Sequence, residues 1–167
     1  MIVRLLRESD HRRGFESGEH SLDDFFERHA WVNHVNGISR VYVAVEDQAS
    51  PDVLGYYSLG AADMESSKVA PHLHFSLPRY PMPVFKIGRL AVRRTSAGRG
   101  IGRGLLQHGL RTSCELSARV AAVGVVVDAL TPAAAEFYHR FGFVLIPPEV
   151  QPQPMFVAMG TIRDSLP

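Results

Sequence analysis

Four glycines, Gly98, Gly100, Gly102 and Gly104, occupy alternate positions with Arg99, Ile101 and Arg103 between them. The run follows residues 84–92, which read as a strand. It opens a segment that reads as a helix, with Ile101, Leu105, Leu106, Leu110, Ser113 and Leu116 on the inner side. Few arrangements put so many glycines at a strand-to-helix junction. A dinucleotide fingerprint needs glycine at its first, third and sixth positions; counting from Gly98, Gly100 or Gly102, the sixth is Arg103, Leu105 or Gln107. The Gly-Lys-Ser/Thr of a nucleotide-triphosphate loop is absent. A flexible turn needs fewer glycines and no interleaved arginines. The pattern instead fits a short phosphate cradle. Without a Cβ the backbone can approach an anion, and the free N–H groups at a helix start, with the helix dipole behind them, favour negative charge.

The rest of the chain reads as alternating elements. Residues 1–6 form a first strand. Ser21 reads as an N-cap with Asp24 in the capping-box position; Leu22, Phe25, Phe26, His29 and Val32 follow at helical spacing, and Gly37 ends the helix. Residues 40–45 and 53–62 are rich in β-branched and aromatic residues around a turn at 47–52, giving a hairpin. Residues 65–83 carry Pro71, Pro78, Pro81 and Pro83 and allow at most one helical turn. Residues 123–129 read as a strand buried on both faces. Thr131-Pro132 is an N-cap followed by proline at the first helical position, opening a helix over 133–140. Strands at 143–146 and 155–162 flank a proline-rich loop. This order predicts an α/β (α+β) fold, a mixed sheet with helices packed on it, in a single domain over residues 1–167.

Composition narrows the function classes. At 46% hydrophobic and 21% charged the chain can build one sizeable core. It has no apolar run near the ~20 residues of a spanning helix, so no membrane association is expected. Arg4 and Arg7 interrupt the apolar N-terminus, unlike a secretory signal. Cys114 stands alone, so no internal disulfide forms and a cytoplasmic location is expected. A net charge of +1 argues against a broad nucleic-acid-binding face. His72 and His74 lack a third ligand, so no metal is expected. No G-x-S-x-G elbow is present.

Ala97-Gly98-Arg99-Gly100-Ile101-Gly102 resembles the cofactor motif of the GNAT superfamily, Gln/Arg-x-x-Gly-x-Gly/Ala. Ala133-Ala134-Ala135-Glu136-Phe137-Tyr138-His139-Arg140-Phe141-Gly142-Phe143 resembles that superfamily's second signature. The resemblance implies a central mixed, mostly antiparallel sheet with splayed strands and flanking helices, and acetyl-CoA-dependent N-acetyltransferase activity. It implies that the amides around Gly98, Arg99, Gly100, Ile101, Gly102, Arg103 and Gly104 hold the coenzyme A diphosphate. The backbone of Leu90, Ala91 and Val92 would pair with the pantetheine arm, and Arg93, Arg94 or Arg103 would reach the nucleotide phosphate. A departing thiolate benefits from a proton donor, and a phenol, with a pKa of about 10, is protonated at neutral pH. Tyr138 is the candidate general acid, while its neighbour Phe137 reads as the better core residue. Glu136, His139 and His108 are not tied to the site by any motif. An α-amino group with a pKa of about 7.7–8.0, lower still beside an ester, needs little help from a base.

A finer resemblance spans nearly the whole chain. Phe15-Glu16-Ser17-Gly18, Leu22-Asp23-x-Phe25-Phe26, Val41-Tyr42-Val43-Ala44, Gly55-Tyr56-Tyr57-Ser58-Leu59, Arg79-Tyr80-Pro81-x-Pro83 and Gly88-Arg89-Leu90-Ala91-Val92 are similar to the TacT-type toxins. That likeness implies acetylation of the α-amino group of aminoacyl-tRNA, a block of translation, and neutralisation by a ribbon-helix-helix antitoxin. It leaves a homodimer open. Arg40, Arg89, Arg93 and Arg94 are then candidates for tRNA phosphates. The competing readings are an N-acetyltransferase for a small amine or a protein N-terminus, and a catalytically silent binding module on the same fold.

Overall fold

A computed structural model describes all 167 residues. Hydrogen bonding orders seven strands as β1-β2-β3-β4-β5-β7-β6, all antiparallel where registered except β4 with β5, which are parallel. The chain divides into two compact units. Met1–Gly60 with Gly88–Gly109 is one, and Ala61–Ile87 with Leu110–Pro167 is the other.

In the first unit, β1 (Ile2–Leu5) pairs with β2 (Arg40–Val45), which pairs with the start of β3 (Gly55–Met64). Between β1 and β2 the chain forms one helical rod: α1 (His20–Asp24), a π-helical turn (Phe25–His29) and α2 (Ala30–Val35). The helix starts one residue before Ser21, and Ser21 does not cap it. Asp23 instead turns back to accept from the Ser17 backbone N–H at 2.9 Å and from the Ser17 hydroxyl at 2.6 Å. Gly37, with φ of +72°, follows the helix as its sequence position suggested. Phe15, Phe25, Phe26, Val41, Val43, Val45, Val53, Tyr56 and Ala91 form the core of this unit. Beneath β1, the buried Arg4 guanidinium grips Asp10 through two bonds of 2.8 and 2.9 Å.

The second unit begins with the last residues of β3. After it come a single turn, α3 (Ser66–Val69), and a 3-10 turn (Ala70–His72). His72 therefore sits in a 3-10 turn and His74 in a bend, not on one strand, and no group of three ligating side chains occurs. β4 (Met82–Val92) begins two residues earlier than its proline content suggested, with Pro83 inside it; its registered parallel pairing with β5 (Gly124–Ala129) ends at Ile87 with Val127. Every β5 residue except Asp128 is buried, as expected. Thr131 caps α5 (Pro132–His139), its hydroxyl accepting from the Ala134 N–H at 3.1 Å. The next strand is shorter than expected, β6 (Val144–Leu145). β7 is Gln153–Ala158, and residues 159–165 are a helix, α6 (Met159–Ser165), where the sequence suggested more strand. Thr161 and Ile162 favour a strand by type, but Met159 and Ile162 are both buried, and their i, i+3 spacing puts them on one helical face.

α4 (Ile101–Leu116) follows the glycine run. Ile101, Leu105, Leu106, Leu110 and Ser113 are buried on it, whereas Leu116 is exposed at the last turn. No helix is long and apolar enough to cross a membrane.

Candidate active site

The glycine run is a turn with bare backbone. Gly98 and Gly100 have φ of +80° and +76°, and a Cβ added to either would meet no atom within 4 Å. That conformation costs an L-residue about 1–2 kcal/mol, so glycine is needed for shape rather than for lack of room. The Gly104 N–H donates to the Gly100 carbonyl at 3.0 Å and begins the helical ladder. The amides just before it face out of the helix end, as in any helix. Residues 97–100 are exposed while Ile101 is buried, so the loop is open on one side and pinned on the other. An open glycine turn with outward amides fits the diphosphate of coenzyme A. Acetyl-CoA supplies an acetyl group as a thioester.

Immediately before the loop lie Leu90, Ala91 and Val92, the last residues of β4. Ala91 is buried in the first unit's core, and its neighbours are half-buried. In a strand alternate residues share a face, so Arg89 and Arg93 flank Ala91. The Arg89 guanidinium lies 4.1 Å from the Phe25 ring centroid, and that of Arg93 lies 5.2 Å from the Phe15 ring. Between these caps, Tyr56 stacks on Phe26 at 4.4 Å and Phe25 at 6.0 Å, with Phe15 4.9 Å from Phe26. Two arginines thus close an aromatic stack, and cation–π attraction holds their planes.

The arginines differ in what they have left to offer. Arg89 is exposed above Phe25. Arg94 is exposed and lies along Gly18. Arg40 donates to the carbonyl of His34, whose ring accepts from the Val41 N–H; burial, then the Arg40 charge, lowers that histidine's pKa. The Arg99 side chain pairs with Glu46 at 2.6 Å, leaving its amide for a ligand. Arg103 is exposed. Arg93 is half-buried and donates through Nε to the Val53 carbonyl at 2.9 Å.

The second unit holds the candidate acid. Tyr138 is 6% exposed and Phe137 half-buried, the reverse of the sequence expectation. The Tyr138 ring packs edge-on to Phe143 at 5.5 Å and to Phe137 at 5.3 Å. Phe137 turns outward and meets Phe141, with ring centroids 5.2 Å apart. The Tyr138 hydroxyl makes no hydrogen bond within the chain. Arg4 Nε is the one fully buried side-chain polar atom lacking a partner, so this hydroxyl is open to solvent or ligand. Burial, and secondarily the Asp128 carboxylate, raise the phenol's pKa above its ordinary value. Asp128 is itself paired with Lys86 at 2.8 Å.

His108 Nδ1 is 2.8 Å from the Tyr57 hydroxyl, His139 Nδ1 is 3.3 Å from the Phe143 carbonyl, and Glu136 is exposed on α5. The phenylalanines under Arg89 and Arg93 are missing from the sequence-derived site. The helical spacing of Phe25 marks it as core, and Phe15 is buried from a loop before the helix; only the fold shows that both rings also aim a cation.

Residues 37–145 match the family model described as acetyltransferase (GNAT) domain. The chain is 33% identical over 144 residues to a tRNA-acetylating toxin of Mycobacterium tuberculosis (strain ATCC 25618 / H37Rv), covering 86% of this chain and 84% of that protein. It is similar to AtaT complexed with acetyl-methionyl-tRNAfMet, with a TM-score of 0.85 and 27% identity over 97% of this chain and 96% of that one. It is also similar to a tyrosine-to-phenylalanine variant of the AtaT toxin bound to the C-terminus of the antitoxin AtaR and acetyl-CoA. There the TM-score is 0.79 and the identity 26%, over 97% and 95% of the two chains.

Proposed function

Because this chain belongs to the GNAT acetyltransferase family, we propose that it is a toxin that transfers acetyl from acetyl-CoA to the α-amino group of aminoacyl-tRNA, blocks translation, and is held in check by a cognate antitoxin. The observation that carries the reading is the 33% identity, across most of both chains, to a tRNA-acetylating toxin. The structure supports the chemistry with an open glycine turn and a buried phenol whose hydroxyl has no partner in the chain.

In this reading the amides around Gly98, Arg99, Gly100, Ile101, Gly102, Arg103 and Gly104 hold the diphosphate, and the backbone of Leu90, Ala91 and Val92 aligns the pantetheine arm. A free N–H of that strand segment stabilises charge on the thioester oxygen. Tyr138 holds the proton that the departing sulfur takes, and its raised pKa keeps it protonated through the physiological range. Arg89, Arg94 and Arg40 face tRNA phosphates, with Arg89 presented over the Phe25 ring. The acceptor amine, weakened by the adjacent ester, is largely neutral at cell pH and needs no dedicated base. Aminoacyl-tRNA is a cytoplasmic substrate, and the antitoxin is read as a ribbon-helix-helix protein whose tail covers the toxin. Residues 1–167 act as one domain, since β3, β4 and α4 each run through both compact units.

The test is mass spectrometry of tRNA after incubation of the purified protein with labelled acetyl-CoA. Label is expected on the amino acid of charged tRNA and not on uncharged tRNA. Label on free polyamines with none on aminoacyl-tRNA would favour a small-amine enzyme, and no transfer to any amine would favour a binding module. Expression without antitoxin is expected to arrest growth.

A further inference from the structure

Arg93 and Arg94 read in the sequence as a basic pair for phosphates, but the structure ties them down unequally. Where β4 ends, the Arg93 N–H donates to the Leu54 carbonyl at 2.7 Å and its Nε–H to the Val53 carbonyl at 2.9 Å. Two adjacent carbonyls just before β3 are therefore held by one residue. The guanidinium plane meanwhile lies against Phe15, which is 2% exposed and packs on Phe26 and Tyr56. The Arg93 carbonyl accepts from the Ser96 N–H at 2.9 Å and so closes a 3-10 turn, Arg94–Ser96, from which the glycine turn departs at Gly98. The Arg94 N–H donates to the Glu16 carbonyl at 2.7 Å. Gly18, at φ +97°, passes so close to Arg94 that an added Cβ would stand 3.1 Å from its Nη2. Ser96 is buried on the same turn. Between the end of β4 and Ile101 these are the inward anchors, and the glycines beyond supply no rigidity of their own.

We infer that Arg93 is a positioning residue for the diphosphate loop rather than a phosphate ligand. Its side chain fixes where the chain leaves the sheet, and so where the amides after Gly98 point. Lysine cannot replace it. A guanidinium offers an Nε–H in a fixed plane that can stack on Phe15 while donating to Val53, whereas an ammonium is a flexible point charge. This inference rests on the reading of the glycine turn as the coenzyme A site.

Calorimetry with unacetylated coenzyme A separates the two claims, because it needs no acceptor. If the wild-type protein does not bind coenzyme A, the glycine turn is not the coenzyme site and the role of Arg93 falls with it. Given wild-type binding, Arg93→Lys is expected to weaken affinity about tenfold. The ratio of affinities at low and high salt should stay as in wild type, since no phosphate-contacting charge is lost. With saturating acetyl-CoA, kcat is expected to stay within about twofold while KM for acetyl-CoA rises. Phe15→Leu, which removes the ring under the guanidinium, is expected to shift KM in the same direction with the salt response intact. The inference is overturned if Arg93→Lys binds as tightly as wild type while Arg93→Met binds weakly with a flattened salt response, the pattern of a phosphate ligand. If Arg93→Met does not fold, Arg93→Lys and Phe15→Leu decide the matter: wild-type KM in both overturns the inference.

Discussion

Tyr56 and Tyr138 are both buried phenols set among phenylalanines, one in each compact unit, and both have pKa values raised chiefly by burial. Their hydroxyls differ. Tyr56 donates to the Leu22 carbonyl at 2.7 Å, beside the point where α1 widens into the π-helical turn. Tyr138 donates to nothing in the chain. The first hydroxyl is accounted for by the fold, whereas the second is open to solvent or ligand. When composition, burial and neighbours are alike, what the hydroxyl bonds is the difference between the two, and it is why Tyr138 rather than Tyr56 is proposed as the proton donor.

Removing each hydroxyl in turn separates the two roles. Tyr138→Phe is expected to lower acetyl transfer to aminoacyl-tRNA by roughly 10²-fold or more, the scale of a lost general acid. Coenzyme A affinity and melting temperature should stay near wild type, because no internal hydrogen bond is lost. Undiminished turnover would remove Tyr138 from the mechanism. Tyr56→Phe should do the converse. Loss of its bond to Leu22 costs about 1 kcal/mol, a fall in Tm of roughly 2–4 °C, with kcat within about twofold; a large loss of kcat at unchanged Tm would erase the distinction.

The smallest effect expected is in the pH profile. Because the Tyr138 pKa lies above its ordinary value of about 10, the proton donor stays loaded as pH rises. The rate should therefore climb with deprotonation of the acceptor amine and show no descending limb below about pH 10. A fall beginning near pH 8 in wild type, absent from Tyr138→Phe, would show that the phenol titrates too early for the role assigned here.

Local signals were legible where one residue's own chemistry decides the matter. The Thr131-Pro132 start of α5, the turn at Gly37 and the doubly buried β5 all follow from capping geometry, positive φ and unbroken apolar runs. Ser21 does not cap because the helix begins at His20 with Glu19 at the N-cap position, which places Ser21 inside the first turn, while the Asp23 carboxylate ties that turn back to Ser17. The order of Phe137 and Tyr138 failed because adjacent helical positions differ by about 100°, and the packing of Phe141 and Phe143 chose which one turned inward. α6 was missed because β-branched Thr161 and Ile162 favour extended backbone, and burial of Met159 with Ile162 overrode that preference.

From the amino-acid order alone came the glycine turn, its place at a strand-to-helix junction and the phenol near the end of a signature helix. These are properties of backbone freedom and side-chain type carried by short segments. Which arginine braces the turn, which stands over an aromatic ring, and which tyrosine keeps its hydroxyl free were settled by contacts between residues far apart in sequence: Arg93 with Val53, Arg89 with Phe25, Tyr56 with Leu22. A hydrogen bond or a stacked ring needs its partner in place, and only the folded chain puts it there.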